Sequence, residues 1–209
     1  MNNLVICKSN KKRIKSKFTG MKYTLLTFTL IIILPLFYLD NKIENENKKY
    51  NYKLGEKIYN SMTIKTNRVT AYKKAIQLNN NNSANTCVYF LSEVLRMNGE
   101  KINPSICNTV EILGIMKKEG WKKEKNYTKL KPGDICFTTD ESLNSNGTPS
   151  HVYIFMSWAE KGKYDYAYVC DNQAKDYKGK IYHIRNIKKT ENINNYQKEP
   201  FSFFMYKKY

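Results

Sequence analysis

The sequence predicts an α+β fold, with N-terminal helices packed on one face of an antiparallel sheet. Two observations carry this. Up to Gly120 the apolar residues recur at helical spacing, whereas beyond Leu130 they fall in short strand-like runs separated by turn residues. Helices first and strands after them make two layers around one core. At 209 residues the chain suits one globular domain plus extra segments.

The extra segments come first. Residues 1–22 form a basic arm with Lys8, Lys11, Lys12, Arg13, Lys15, Lys17 and Lys22 and no acid. Tyr23 to Leu39 then runs without a charge. At about 1.5 Å per residue it covers roughly 25 Å, slightly short of a bilayer core of about 30 Å, and Lys22, Tyr23 and Tyr38 extend its reach. The positive excess before it orients the N-terminus in the cytoplasm and everything after residue 40 outside. Residues 23–39 are therefore expected to be a transmembrane signal-anchor, single-pass in the cell membrane. The alternative is a cleaved signal peptide and a secreted domain, but no small-residue cleavage site follows the run. Residues 40–54, polar and charged, read as a tether, and 55–209 as the exported domain.

Within that domain, Gly55 to Leu78 predicts one or two helices through Ile58, Met62, Val69, Tyr72 and Ile76. The asparagine run 79–82 is a hinge or loop. Ser83 to Gly99 predicts a helix capped by Ser83 or Asn85 and closed by Gly99. Cys87, Leu91, Val94 and Asn98 share its inward stripe, and Ser92, Glu93 and Arg96 its solvated side. A thiol at a helix N-terminus is in a field that favours thiolate. On the helix alone two readings stand: a nucleophile, or a small buried core residue.

Asn103-Pro104 marks a turn, and Cys107 to Glu119 a second amphipathic helix through Val110, Leu113 and Met116, stopped by Gly120. Pro132-Gly133 forces a turn before a strand over 134–139, and 140–149 is a polar loop. Four further strands are expected at 151–158, 164–170, 180–187 and 201–207, forming a meander. In the first of them Val152, Ile154 and Met156 face one side, and His151, Tyr153 and Phe155 the other. A hairpin sets the start of one strand beside the end of the next, so His151 meets Asp171-Asn172-Gln173. A polar group there would hold the imidazole tautomer.

Composition narrows the chemistry. The chain carries a net +18, and removing the seven basic residues of the arm leaves +11 on residues 40–209. No nucleic-acid motif accompanies the charge, so no nucleic-acid partner is expected. The five cysteines show no CxxC pair, so no structural zinc site is expected, and no cofactor is expected either. Cys87, Cys107, Cys136 and Cys170 could instead form two disulfides in an exported domain. Of the two histidines, His183 lies mid-strand among Lys180, Tyr182 and Arg185 and reads as structural.

The order of Cys87-Val88-Tyr89-Phe90, Gly120-Trp121, Leu130–Phe137 (LKPGDICF), His151–Phe155 (HVYIF) and Asp171–Gln173 resembles the papain-like NlpC and CHAP cysteine amidohydrolases. The likeness spans residues 83–173. It implies a papain-like domain that cleaves amide bonds of cell-wall peptidoglycan peptides without a metal. It further implies Cys87 as nucleophile, His151 as general base, and Asp171, Asn172 or Gln173 as the third member. A monomer acting on peptidoglycan is expected. Two alternatives remain at this point: a non-catalytic basic surface module binding anionic wall polymer, with Cys87 in a disulfide, and a cysteine acyltransferase on the same fold.

Overall fold

Helices build the first half of the domain because its apolar residues repeat every three to four positions. The structure is a computed structural model that describes residues 54–207 together with Pro35, Tyr38, Leu39 and Lys42. The arm, the apolar run and the tether lie outside the described residues, apart from those four and Leu54. Among the described residues no helix is long and apolar enough to cross a membrane. The chain divides into two compact units, Met1–Asn47 and Lys48–Tyr209, and all that follows concerns the second.

Residues 54–63 form helix α1, which buries Leu54, Ile58 and Met62 at successive four-residue steps. Leu54, read as the last residue of the tether, is thus already helical and in the core. Ile64 is extended (φ −86°, ψ 118°) and separates α1 from α2, Lys65–Leu78. Arg68 Nη1 donates to the Met62 carbonyl at 2.6 Å, satisfying an acceptor freed by the break. The core face of α2 is carried by Ala71 and Ala75, with Val69, Tyr72 and Ile76 only half-buried. Small residues let this helix approach α3 closely.

Helix α3, Cys87–Met97, starts later than expected. Thr86 holds the N-cap position, so Ser83 and Asn85 do not cap it. Asn85 has turned into the left-handed region (φ 54°), as have Asn80 and Asn81 in the preceding loop. Ser92 is fully buried rather than solvated. Helix α4, Thr109–Lys118, opens with reciprocal caps: Glu111 N–H donates to the Asn108 side chain at 2.9 Å, and Cys107 N–H to Glu111 Oε2 at 3.2 Å. Its buried stripe is Thr109, Ile112 and Met116, and Val110 points outward. The helix stops at Gly120, whose φ is +81°.

The sheet contains β1 (Trp121–Glu124), β2 (Ile135–Thr138), β3 (Val152–Glu160), β4 (Lys163–Cys170), β5 (Tyr182–Asn186) and β8 (Phe201–Lys207). A separate hairpin pairs β6 (Glu191–Ile193) with β7 (Tyr196–Lys198). The strand order is β1-β8-β2-β3-β4-β5, antiparallel throughout. The expected meander holds from β2 to β5 only, because the last strand inserts between β1 and β2. Its sequence explains the place: Phe203 and Met205 face the helices and Phe204 the other side, which suits an interior strand. The lysines of β1 suit an edge.

Both faces of the sheet are covered. Ile135, Phe137, Val152, Ile154, Met156, Phe203 and Met205 pack against the helices. Cys136, Tyr153, Phe155, Ala167, Val169 and Phe204 form a smaller second core, joined by Leu130 beside the short 3-10 turn Tyr127–Lys129. The expected alternation along β3 is therefore observed. Gly133 (φ +91°) lets the turn before β2 press on α1, where a Cβ would collide with the Gly55 carbonyl.

Candidate active site

Cys87 is the first residue of α3, half-exposed at the helix start. The first helical bond runs from Phe90 N–H to the Thr86 carbonyl at 2.8 Å, so the N–H groups of residues 87–89 have no intrahelical acceptor. His151 immediately precedes β3, and Asp171 immediately follows β4. The register Ile154↔Cys170 carries the start of one strand and the end of the other to the same edge of the sheet. Helix α3 packs on β3, which brings the helix start to that edge.

The segment entering β3 is held before the ring is placed. His151 N–H donates to Thr138 Oγ1 at 3.0 Å, and Thr138 N–H donates back to the His151 carbonyl at 3.1 Å. Thr109 Oγ1 donates to the Pro149 carbonyl at 2.8 Å, tying the polar loop to α4. The buried His151 ring then meets Asp171, with Nε2 2.9 Å from Oδ2. Against an ionised carboxylate, which only accepts, Nε2 must carry the hydrogen, leaving the Nδ1 lone pair as the proton acceptor. Burial pushes the imidazole down, but hydrogen bonds to Asp171 and Cys87, together with their charges, raise it above its ordinary value of 6.5.

Asp171 is fully buried. Burial pushes its carboxyl up, but the charge of His183, the hydrogen bond and charge of His151, and the charge of Arg185 hold it well below the usual carboxylate range. Oδ1 accepts from the Gln173 backbone N–H at 2.8 Å, so both oxygens are fixed. Of the three expected orienting residues, Asp171 is the one whose side chain reaches His151. Asn172 instead donates to Thr86 Oγ1 at 3.0 Å, linking the end of β4 to the residue before the cysteine. Gln173 turns its side-chain oxygen to Arg185 Nη1 at 3.0 Å.

His183 does sit mid-strand, on β5, but it is not remote from the site. Its Nε2 lies 3.8 Å from Asp171 Oδ2 while Nδ1 sits 3.1 Å from the Lys180 carbonyl. Burial lowers its pKa, outweighing the pull of Asp171. A carbonyl only accepts, so Nδ1–H is the donor to Lys180, and Nε2 has no hydrogen-bond partner. The structural reading of His183 leaves out its nearness to Asp171, and Arg185 carries no role of its own in that lysine-rich stretch. The signal was two-residue spacing on β5, which puts both on the face that carries Val169 and Ala167, their cross-strand partners.

Cys87, Cys107, Cys136 and Cys170 are all free, so the two disulfides do not form. Among the described residues no group of three or more His, Cys, Asp or Glu is arranged to hold a metal ion. No family model, no curated protein and no solved structure matches the chain.

Proposed function

We propose that the domain is a cysteine-dependent amide hydrolase acting outside the membrane on the peptides of peptidoglycan. The observation that carries this reading is the His151 Nε2–Asp171 Oδ2 bond of 2.9 Å on a ring that also interacts with a free thiol at a helix N-terminus. A cysteine used only for packing needs no buried, carboxylate-oriented imidazole beside it. The likeness of the motifs around Cys87, His151 and Asp171 to papain-like amidohydrolases supports the same reading and supplies the substrate class.

The steps follow from the groups present. His151 Nδ1 takes the Cys87 proton, and the sulfur attacks the carbonyl carbon, forming the C–S bond. The backbone N–H of Cys87, without an intrahelical acceptor, is poised to stabilise the oxyanion. His151 returns its proton to the departing amine as the C–N bond breaks. It next takes a proton from water, whose hydroxide adds to the acyl carbon. The C–S bond then breaks, the acyl group leaves as a free carboxylate that gives its acid proton to solvent, and the sulfur takes back the proton held by His151. Asp171 fixes the ring and stabilises the imidazolium throughout.

The free Cys87 also removes the feature that would have marked a disulfide-bonded wall-binding module. The test is to incubate the full chain with peptidoglycan digested to soluble muropeptides and to resolve products by mass spectrometry. New amine and carboxyl ends are expected with the wild type and none with Cys87→Ala, whose melting transition should be little changed. Cleavage by Cys87→Ala at the wild-type rate would overturn the proposal. A new acyl linkage in place of a carboxylate would indicate acyl transfer instead.

A further inference from the structure

Strand β5 carries a buried arginine that the steps above do not use. Arg185 is 1% exposed, with its guanidinium carbon 5.3 Å from the centre of the Tyr153 ring. Burying a guanidinium is costly unless its charge and donors are met. Its hydrogen bonds go to neutral oxygens, from Nη1 to Gln173 Oε1 at 3.0 Å and from Nη2 to the Glu199 carbonyl at 2.8 Å, while Nε has no partner. A leucine or methionine would fill such a position without that cost. What the arginine adds is a grip on Gln173 and a positive charge felt by the Asp171 carboxylate.

Gln173 is the link. Its side chain receives Arg185, and its backbone N–H donates to Asp171 Oδ1. A continuous chain of contacts therefore runs from guanidinium to amide, to carboxylate, to the His151 ring. We propose that Arg185 is a positioning residue: by holding Gln173 it fixes the turn after β4 and keeps Asp171 Oδ2 on His151 Nε2. The proposal rests on the amide-hydrolase reading. Other charged or titratable groups bearing on Asp171 are His151 at the start of β3, Tyr153 on β3, Cys170 at the end of β4, His183 on β5 and Tyr177 in the β4–β5 turn, but the hold on the Gln173 side chain comes from Arg185.

The test uses iodoacetamide on the full chain at pH 6.5, with the rate at Cys87 read by peptide mass mapping and the exposed Cys107 as internal reference. His151→Ala anchors the experiment and should slow labelling of Cys87 relative to Cys107. Arg185→Met and Gln173→Ala should slow it by about tenfold to a hundredfold, the scale of a misplaced catalytic group, and Arg185→Lys should recover much of the loss. Melting transitions report folding. Should Arg185→Met fail to fold, Gln173→Ala decides. Wild-type labelling in a folded Gln173→Ala, with His151→Ala slow, overturns the positioning role and leaves the hydrolase reading intact. No effect of His151→Ala overturns both.

Discussion

Asp171 stays ionised in a fully buried place because two histidines and an arginine surround it and both its oxygens accept hydrogen bonds. The consequence appears on His151, which is raised partly by that carboxylate. Asp171→Asn removes the negative charge, so the imidazolium loses stabilisation and its titration, followed by ring NMR, should move to lower pH. Muropeptide cleavage should fall roughly 10²–10⁴-fold, since an amide can hold the wrong tautomer. An unmoved His151 titration would contradict the role given to Asp171. A second carboxyl behaves in the opposite sense. Burial pushes Asp134 up to about 7, although its Oδ2 accepts from Lys131 N–H at 2.7 Å. Its unfolded value lies near 3.8. Between those limits the unfolded chain has lost this proton and the folded chain keeps it, so stability from this group falls as pH rises from about 4 to 7. Asp134→Asn should flatten that slope in denaturant titrations at several pH values, and an unchanged slope would refute it.

At the scale of the elements, the sequence was most readable where one residue type can do a job. Gly120 and Gly133 ended or turned the chain as expected, with φ of +81° and +91°. Gly133→Ala therefore meets two penalties, a left-handed backbone and the carbonyl of Gly55. A loss of about 1–3 kcal/mol by urea unfolding is expected, on the scale of overpacking, and a neutral substitution would mean that α1 yields. Cys87, His151 and Asp171 were readable because each falls at the end of a periodic segment, where apolar pattern gives way to polar residues. What was not readable had a physical reason too. Ser92 and Val110 exchange their expected environments because a helix stripe drawn from hydropathy alone ignores which neighbour the helix meets. The short β1, β6 and β7 have too few residues to display a period. The insertion of β8 between β1 and β2 is a matter of long-range pairing, which no local pattern encodes.

For the whole molecule, the α+β layering follows from the order of helices and strands, and the sheet serves as the common frame for the site. One edge of it gathers the start of β3, the end of β4 and the start of α3, three places far apart in the chain. The net charge of +18 belongs to every part of the chain rather than to the site and says little of the reaction. The decisive quantity is whether chemistry depends on a single sulfur. Iodoacetamide should be added to the full chain in steps, with the labelled fraction of Cys87 and the rate of muropeptide cleavage measured on the same samples. Cleavage should fall in direct proportion to the Cys87 left unlabelled, and equally in a Cys107→Ser background. Full cleavage by a chain whose Cys87 is completely labelled, or no cleavage by the unlabelled chain, would contradict a cysteine amide hydrolase at this site.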